Sequence, residues 1–335
     1  MSMFNWLFKR DDSATRDDVR QALARIVTVA PQVRLASRYA SRLAPAVGKT
    51  IDHVRELVAA LPAPRDATPG AWSDDPYLRA KFATPDDIAR VIGESRDVCD
   101  WFGDHIAADH AFAILGATLV ERRVLVAALE GGTMRSDVAR TAIGFDDKRM
   151  RFCHESDDAL RGDLVQRIVE QFALEAMSRV AQTEARRDAL QEHRALLAAR
   201  MQMLGRRGAG MSSLIASADL AGDATRLQRD VEENEAALAA LGSPADSIET
   251  QLRTILDVLD DPARMISVTE RTLCLNHMNL LMDTRCDEPH ADIAIHLARL
   301  PTQPPQTRAV EIVRIARRDV PAGGNRFEEA ARLVI

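Results

Sequence analysis

Residues 156–205 read SDDALRGDLVQRIVEQFALEAMSRVAQTEARRDALQEHRALLAARMQMLG. Stepping alternately by four and three from Val169 gives Ala173, Ala176, Val180, Thr183, Arg187, Leu190, Arg194, Leu197, Met201 and Leu204, and all but three of these positions are apolar. Such a step places them on one stripe of a helix that winds left-handedly along a partner. Ser156 caps the start, and Asp157 and Asp158 complement the positive end of the helix dipole. A helix over 157–204 extends about 72 Å at 1.5 Å per residue, more than a globular core in a chain of this size requires.

After a glycine-rich break the stripe resumes as Leu227, Val231, Asn234, Leu238, Leu241, Ala245, Ile248, Leu252, Ile255 and Leu259. The lone Asn234 on it is better read as a register device than as a ligand. Gly242 ends one helix, Ser243 caps the next and Pro244 opens it. The stripe keeps its phase across that break, so both pieces are predicted to pack along the same long helix. The expectation is a long antiparallel coiled-coil helical hairpin over 157–262, projecting as an arm.

Strand signals flank this region on both sides. Residues 142–145 and 150–153 alternate around Asp146-Asp-Lys-Arg149, which predicts a hairpin with a polar turn. Ala111 to Leu129 fits a strand and a buried helix equally. Further on, Ile293, Ile295 and Leu297 alternate with polar or small residues, and after a loop Val310 to Ile315 reads as another strand. Asn325 and Glu328 mark a capped helix in the tail. A helical hairpin returns the chain to where it left, so 111–156 and 263–335 are predicted to form one α+β base around a small discontinuous antiparallel sheet.

Residues 17–110 form an N-terminal helical region. Val19, Leu23, Ile26, Val27 and Ala30 have helical spacing as far as Pro31, and further stretches cover 33–61 and 84–105. The second of these restarts at Thr84, Pro85, Asp86 and Asp87. Residues 1–16 are an aromatic peptide followed by a polar linker. The class is mainly α, α+β overall.

Apolar residues at 46% and charged residues at 28% describe a folded globular chain. Aromatics at only 4% favour long helices over a sandwich or barrel. The basic residues comprise 40 Arg and 4 Lys, a bias of bacterial GC-rich character, and the net charge of -6 leaves no overall nucleic-acid footprint. Four scattered cysteines, no apolar run long enough to span a bilayer, and basic residues that follow the N-terminal apolar peptide indicate a cytoplasmic protein.

Candidate chemistry is sparse. Gly205-Arg-Arg-Gly-Ala-Gly-Met-Ser212 matches a phosphate-binding loop except for its lysine, and it follows a helix where that loop follows a strand; chain reversal explains the glycines better. Cys274, His277, Cys286 and His290 have a superficial zinc spacing, but Leu273 to Met282 reads as continuous strand or helix, without the turn that a ligand pair needs. His105 and Asp109 lie four apart near His110 and Cys99, which is two ligands and not a site. No catalytic, cofactor or metal residues are assigned, and the chain reads as non-enzymatic; an enzyme with a scattered, unrecognised site remains an alternative.

Partner-binding residues are proposed in three places. Phe4, Trp6 and Phe8, ahead of Lys9 and Arg10, suit a partner groove, the protein's own core or a membrane interface. Arg34, Arg38 and Arg42 repeat every four residues and are expected on one helix face, solvated or turned to an anionic surface. Arg206, Arg207 and Met211 lie at the expected hairpin tip, where Met203 adds apolar surface. The functional expectation is a structural or adaptor protein that binds a protein partner, or itself, through the hairpin, without nucleic acid. A peripheral membrane regulator anchored by the N-terminal segment is the alternative.

Overall fold

A computed structural model describes residues 12–130, 133–208, 219–242, 247–282, 289–302 and 304–321. The elements in order are helices α1 (Asp12–Val29) and α2 (Tyr39–Ala59), strand β1 (Arg65–Asp66), and helices α3 (Pro76–Lys81), α4 (Pro85–Glu94) and α5 (Arg96–Asp104). Two long strands follow, β2 (His110–Glu130) and β3 (Thr133–His154). Helices α6 (Asp157–Gly208), α7 (Asp219–Ala240), α8 (Ser247–Asp260) and α9 (Pro262–Met265) lead to strands β4 (Ser267–Asn276), β5 (His290–Leu300) and β6 (Gln306–Ala316). Among the described residues, no helix is long and apolar enough to cross a membrane.

The chain divides into two compact units, one of residues 1–48 with 170–260 and one of 49–169 with 261–335. In the first, α6 packs against α7 and α8. The N-terminal helices join them: Arg25 pairs with Glu170 at 3.3 Å, and Arg42 forms a two-pronged pair with Glu249 at 2.6 and 3.0 Å. Pro31 does interrupt α1, as its missing N–H and ring clash dictate, and a short 3-10 turn of Pro31–Leu35 follows.

That turn corrects the reading of the arginine face. Arg34 lies in the 3-10 segment, Arg38 has left-handed backbone (φ 52°), and only Arg42 is on α2. The three do not share a helix face, and Arg42 is already neutralised by Glu249.

The second unit is built on a six-stranded sheet in the order β3-β2-β6-β5-β4, antiparallel except where β1 runs parallel to β6. Strands β2 and β3 precede the long helix and β4 to β6 follow α8, so the sheet draws on both flanks. Its outer members are also bridged. Residues 279–282 bond to β3 through Ile143 N–H to Asn279 O and Leu281 N–H to Thr141 O, both 2.8 Å. On their other side they bond to β4, Met282 N–H donating to Cys274 O and Leu280 O accepting from Asn276 N–H. This rung leaves neither outer strand a bare edge at that level, removing an aggregation hazard.

The open choice for 111–129 is settled as strand. Ala111, Ala113, Leu115 and Ala117 are buried in a period of two, the pattern of one sheet face. Helices α4 and α5 cover part of that face with Ile88, Val91, Ile92, Val98 and Phe102. Thr84 Oγ1 accepts from Asp87 N–H, and Ser95 Oγ accepts from Val98 N–H while donating to Met150 O, so the second cap also fixes α5 to β3.

The predicted hairpin at 142–153 is absent, because β3 is continuous through it. Its polar centre is an irregularity in pairing, with a register shift between Gly116 and Thr118 and left-handed backbone at Asp147 (φ 47°). The charges are held from the sides: Asp146 pairs with Arg122 on β2, and Asp147 pairs with Arg149 and with Arg308 on β6. Cross-strand pairing thus satisfies a polar run that in sequence resembles a turn.

Candidate functional site

The longest exposed helical surface among the described residues lies on α6 and α7. Between 181 and 206, Leu197 is the one fully buried residue, while Thr183, Arg187, Leu190 and Leu204 are half-buried and the rest exposed. On α7, Leu227 and Asn234 are buried and Val231 and Leu238 half-buried. Burial follows most of the stripe read from the sequence, with Arg194 and Met201 exposed on it and Ala237 half-buried beside it.

Polar groups on the stripe have identifiable partners. Arg187 donates to the carbonyls of Leu241 (2.8 Å) and Gly242 (3.3 Å), placing a cation on unpaired acceptors after α7. Asn234 Nδ2 donates to Leu190 O at 3.1 Å, while its Oδ1 is buried without a partner. Beside this contact, Arg187, Arg194, Ala195, Ala198, Glu235 and Ala239 help line an open groove of about 780 Å³. Leu196 and Met203, 56% and 66% exposed, lie seven residues apart on α6 and hence on one line of its surface.

The expected partner-binding residues are not brought together. Arg206 is exposed at the end of α6, Arg207 belongs to the same last turn, and Met211 lies outside the described residues, as do Phe4, Trp6 and Phe8. Arg34 and Arg38 are exposed and Arg42 is ion-paired.

A second concentration of functional groups is buried under α3. Lys81 and Glu311 are each only 2% exposed. The Lys81 ammonium donates to Tyr77 Oη at 2.7 Å, and Arg65 joins Glu311 (2.9 Å) to Asp75 (2.6 Å). Asp75 also caps α3 by accepting from Tyr77 N–H. Burial lowers the Lys81 amine to about 8, against the pull of Glu311 and with a further push from Arg65 and Lys148. Burial, aided by Glu311, holds the Tyr77 phenol well above its ordinary value. For Arg65, burial acts downwards but is outweighed by Glu311 and Asp75, which raise it.

An amine of this kind has the protonation range of a general base or a nucleophile, yet it is sealed. The clefts beside Arg90 and Arg151, beside Asp66 and Arg318, and beside Pro76 and Ile293 are lined by neither Lys81, Tyr77 nor Glu311. The first of these clefts, about 770 Å³, is rich in arginine, but its arginines are paired internally: Arg90 with Asp87 and Glu94, Arg96 with Asp100, Arg149 with Asp147, and Arg151 with Asp97. The arrangement under α3 ties a helix to β1 and β6 by paired buried charges.

The other sequence candidates disperse. Helix α5 ends at Asp104, so His105 and Asp109 share no helix face; His105 stacks on Trp101 with ring centroids 4.4 Å apart. Cys274 is buried in β4, but the continuous run expected over Leu273 to Met282 is broken by a turn that holds the exposed His277; His290 opens β5, and Cys286 lies outside the described residues. Among the described residues, no group of three or more His, Cys, Asp or Glu is placed to hold a metal ion.

No protein-family model, no curated protein and no solved structure matches this chain.

Proposed function

We propose that this chain is a non-enzymatic structural or adaptor protein that binds a protein partner through an antiparallel coiled coil formed by α6 and α7. The observation that carries the reading is the burial pattern: between 181 and 241 the two helices cover mainly their mutual stripe and leave the remainder of their surface to solvent. An antiparallel sense is supported by the contacts, since the partner number rises from Asn234 to Leu241 as α6 is followed back from Leu190 to Arg187. Isolated pairs of long helices that bury only a narrow seam are marginal for a fold but well suited to offer both flanks to another molecule. Leu196 and Met203 give such a flank its apolar anchors.

The test uses the tagged full-length chain. Leu196→Glu with Met203→Glu alters exposed positions only, so far-UV circular dichroism is expected to be unchanged while a partner recovered with the wild-type chain is lost. Undiminished recovery of that partner by the double variant rejects the reading.

A further inference from the structure

Helices α6 and α7 carry opposite charge. Residues 181–208 hold six arginines against three carboxylates, and residues 219–240 hold six carboxylates against two arginines. Little of this is used within the chain. Among the described residues, Arg186, Arg200, Asp230 and Glu233 are all exposed, and none is in an ion pair. At 100° per residue, Arg186 and Arg200 run beside the line of Leu196 and Met203 on α6, and Asp230 and Glu233 are neighbours on α7. The same flank therefore offers apolar anchors rimmed by unneutralised arginine on one helix and unneutralised carboxylate on the other.

We propose that this flank binds a second copy of the chain, with α6 of each protomer lying on α7 of the other about a twofold axis parallel to the helices. The proposal rests on the coiled-coil reading above and names its partner. A surface positive on one helix and negative on the adjacent one is complementary to itself under that rotation, each helix meeting its opposite. The same axis keeps every residue at its own height, so the level set within the chain by Asn234 against Leu190 also holds between copies. A twofold axis across the helices would instead lay arginine on arginine, which like-charge repulsion disfavours. Leu196 and Met203 supply the apolar contact that charge alone lacks.

Multi-angle light scattering of the full chain is expected to give twice the 36.9 kDa chain mass at low salt, falling towards the single mass as salt screens the rim. The double variants R186E/R200E and D230R/E233R are each expected to run as monomers and, mixed in equal amounts, to regain the doubled mass. Because reversal also places like charges on the paired helices of one chain, Leu196→Ser with Met203→Ser is the companion variant, expected to weaken association at least ~10-fold with helicity unchanged. A wild-type chain that stays monomeric at low salt, reversal variants that remain dimeric, or a serine variant as dimeric as wild type each overturn the proposal. A monomeric wild type that still loses a different protein on Leu196→Glu with Met203→Glu sinks the dimer alone and leaves the adaptor reading standing.

Discussion

Replacing Lys81 by Met keeps the reach and apolar bulk of the side chain and deletes its charge. Burial lowers the Lys81 amine from its ordinary 10.5 to about 8, with Glu311 opposing and Arg65 and Lys148 assisting. Below pH 8 the amine is charged in both the folded and the unfolded chain, and the folded protein carries the whole penalty of desolvating it, about 3 kcal/mol at ~1.4 kcal/mol per pH unit. As pH rises through 8, the folded chain releases this proton while the unfolded chain keeps it, so the unfolded state binds more protons and stability increases with pH. By pH 10 about 2 to 3 kcal/mol is recovered. Other groups act in the opposite sense: the Cys153 thiol, pushed up to about 12 by burial, and the Tyr77 phenol each favour unfolding as pH passes their ordinary values. Because Lys81 donates to Tyr77 Oη, both proteins are compared in a Tyr77→Phe background, where Cys153 is retained and the difference between them isolates the amine. Urea unfolding followed by tryptophan fluorescence suits the purpose, since Trp72 Nε1 bonds to Phe82 O next to the substitution. The stability with Lys81 minus that of the Lys81→Met protein should climb by about 2 to 3 kcal/mol between pH 7 and 10. A difference that stays level or declines over that range refutes the assignment of a charged, sealed amine.

Three further substitutions probe other parts of the fold. Asn234→Leu removes a buried carbonyl oxygen that lacks a partner, and the melting temperature is expected to rise by the equivalent of about 1 kcal/mol; a fall would mean that the bond to Leu190 O outweighs that penalty. Arg161 donates to the carbonyls of Val58 in the last turn of α2 and of Leu61 and Pro62 beyond it, a fork that lysine cannot reproduce, so Arg161→Lys should cost about 1 to 3 kcal/mol in denaturant unfolding, whereas unchanged stability would discount the fork. Asp97 accepts from the N–H of Phe152, whose backbone is left-handed (φ 62°), and from Arg151. Asp97→Ala should therefore speed hydrogen exchange of the Phe152 amide about tenfold or more, and an unaltered rate would show the strand bulge to be self-supporting.

The long helix was legible because its signals agree: a cap at Ser156, acidic residues in the first turn and a stripe in four-three steps. The cap is present, with Ala159 N–H donating to Ser156 Oγ at 3.1 Å, and α6 runs from Asp157 to Gly208. The break at Gly242 was equally readable, since Gly242 has φ 77° and α7 ends at Ala240. Strand β3 was not, because four charged residues in a row resemble a turn until the cross-strand partners Arg122 and Arg308 are known. The arginine face failed for a local reason: counting by four assumes a helix, and Pro31 had already replaced it with a 3-10 turn.

The buried charges under α3 went unread, though one trace of them is in the sequence. In Ala309-Val-Glu-Ile-Val-Arg-Ile315 the alternation sets Glu311 on the same face as Ala309, Val313 and Ile315, all buried. A carboxylate on an apolar face calls for a cation, but Arg65 is 246 residues away in the chain, and no local pattern identifies it. The same holds for Leu196 and Met203: each is an ordinary helix former, and only their exposure on α6 marks them as the proposed anchors.

Photo-crosslinking from single positions of the full-length chain addresses the binding face most directly. A photoreactive residue at Leu196 or Met203 is predicted to capture a polypeptide, whether another protein or a second copy, in high yield, and the same residue at Ile106, a still more exposed apolar position on the other unit, is predicted not to. Capture from Ile106 alone, or none from either helix position, would contradict the claim that α6 and α7 form the interaction surface.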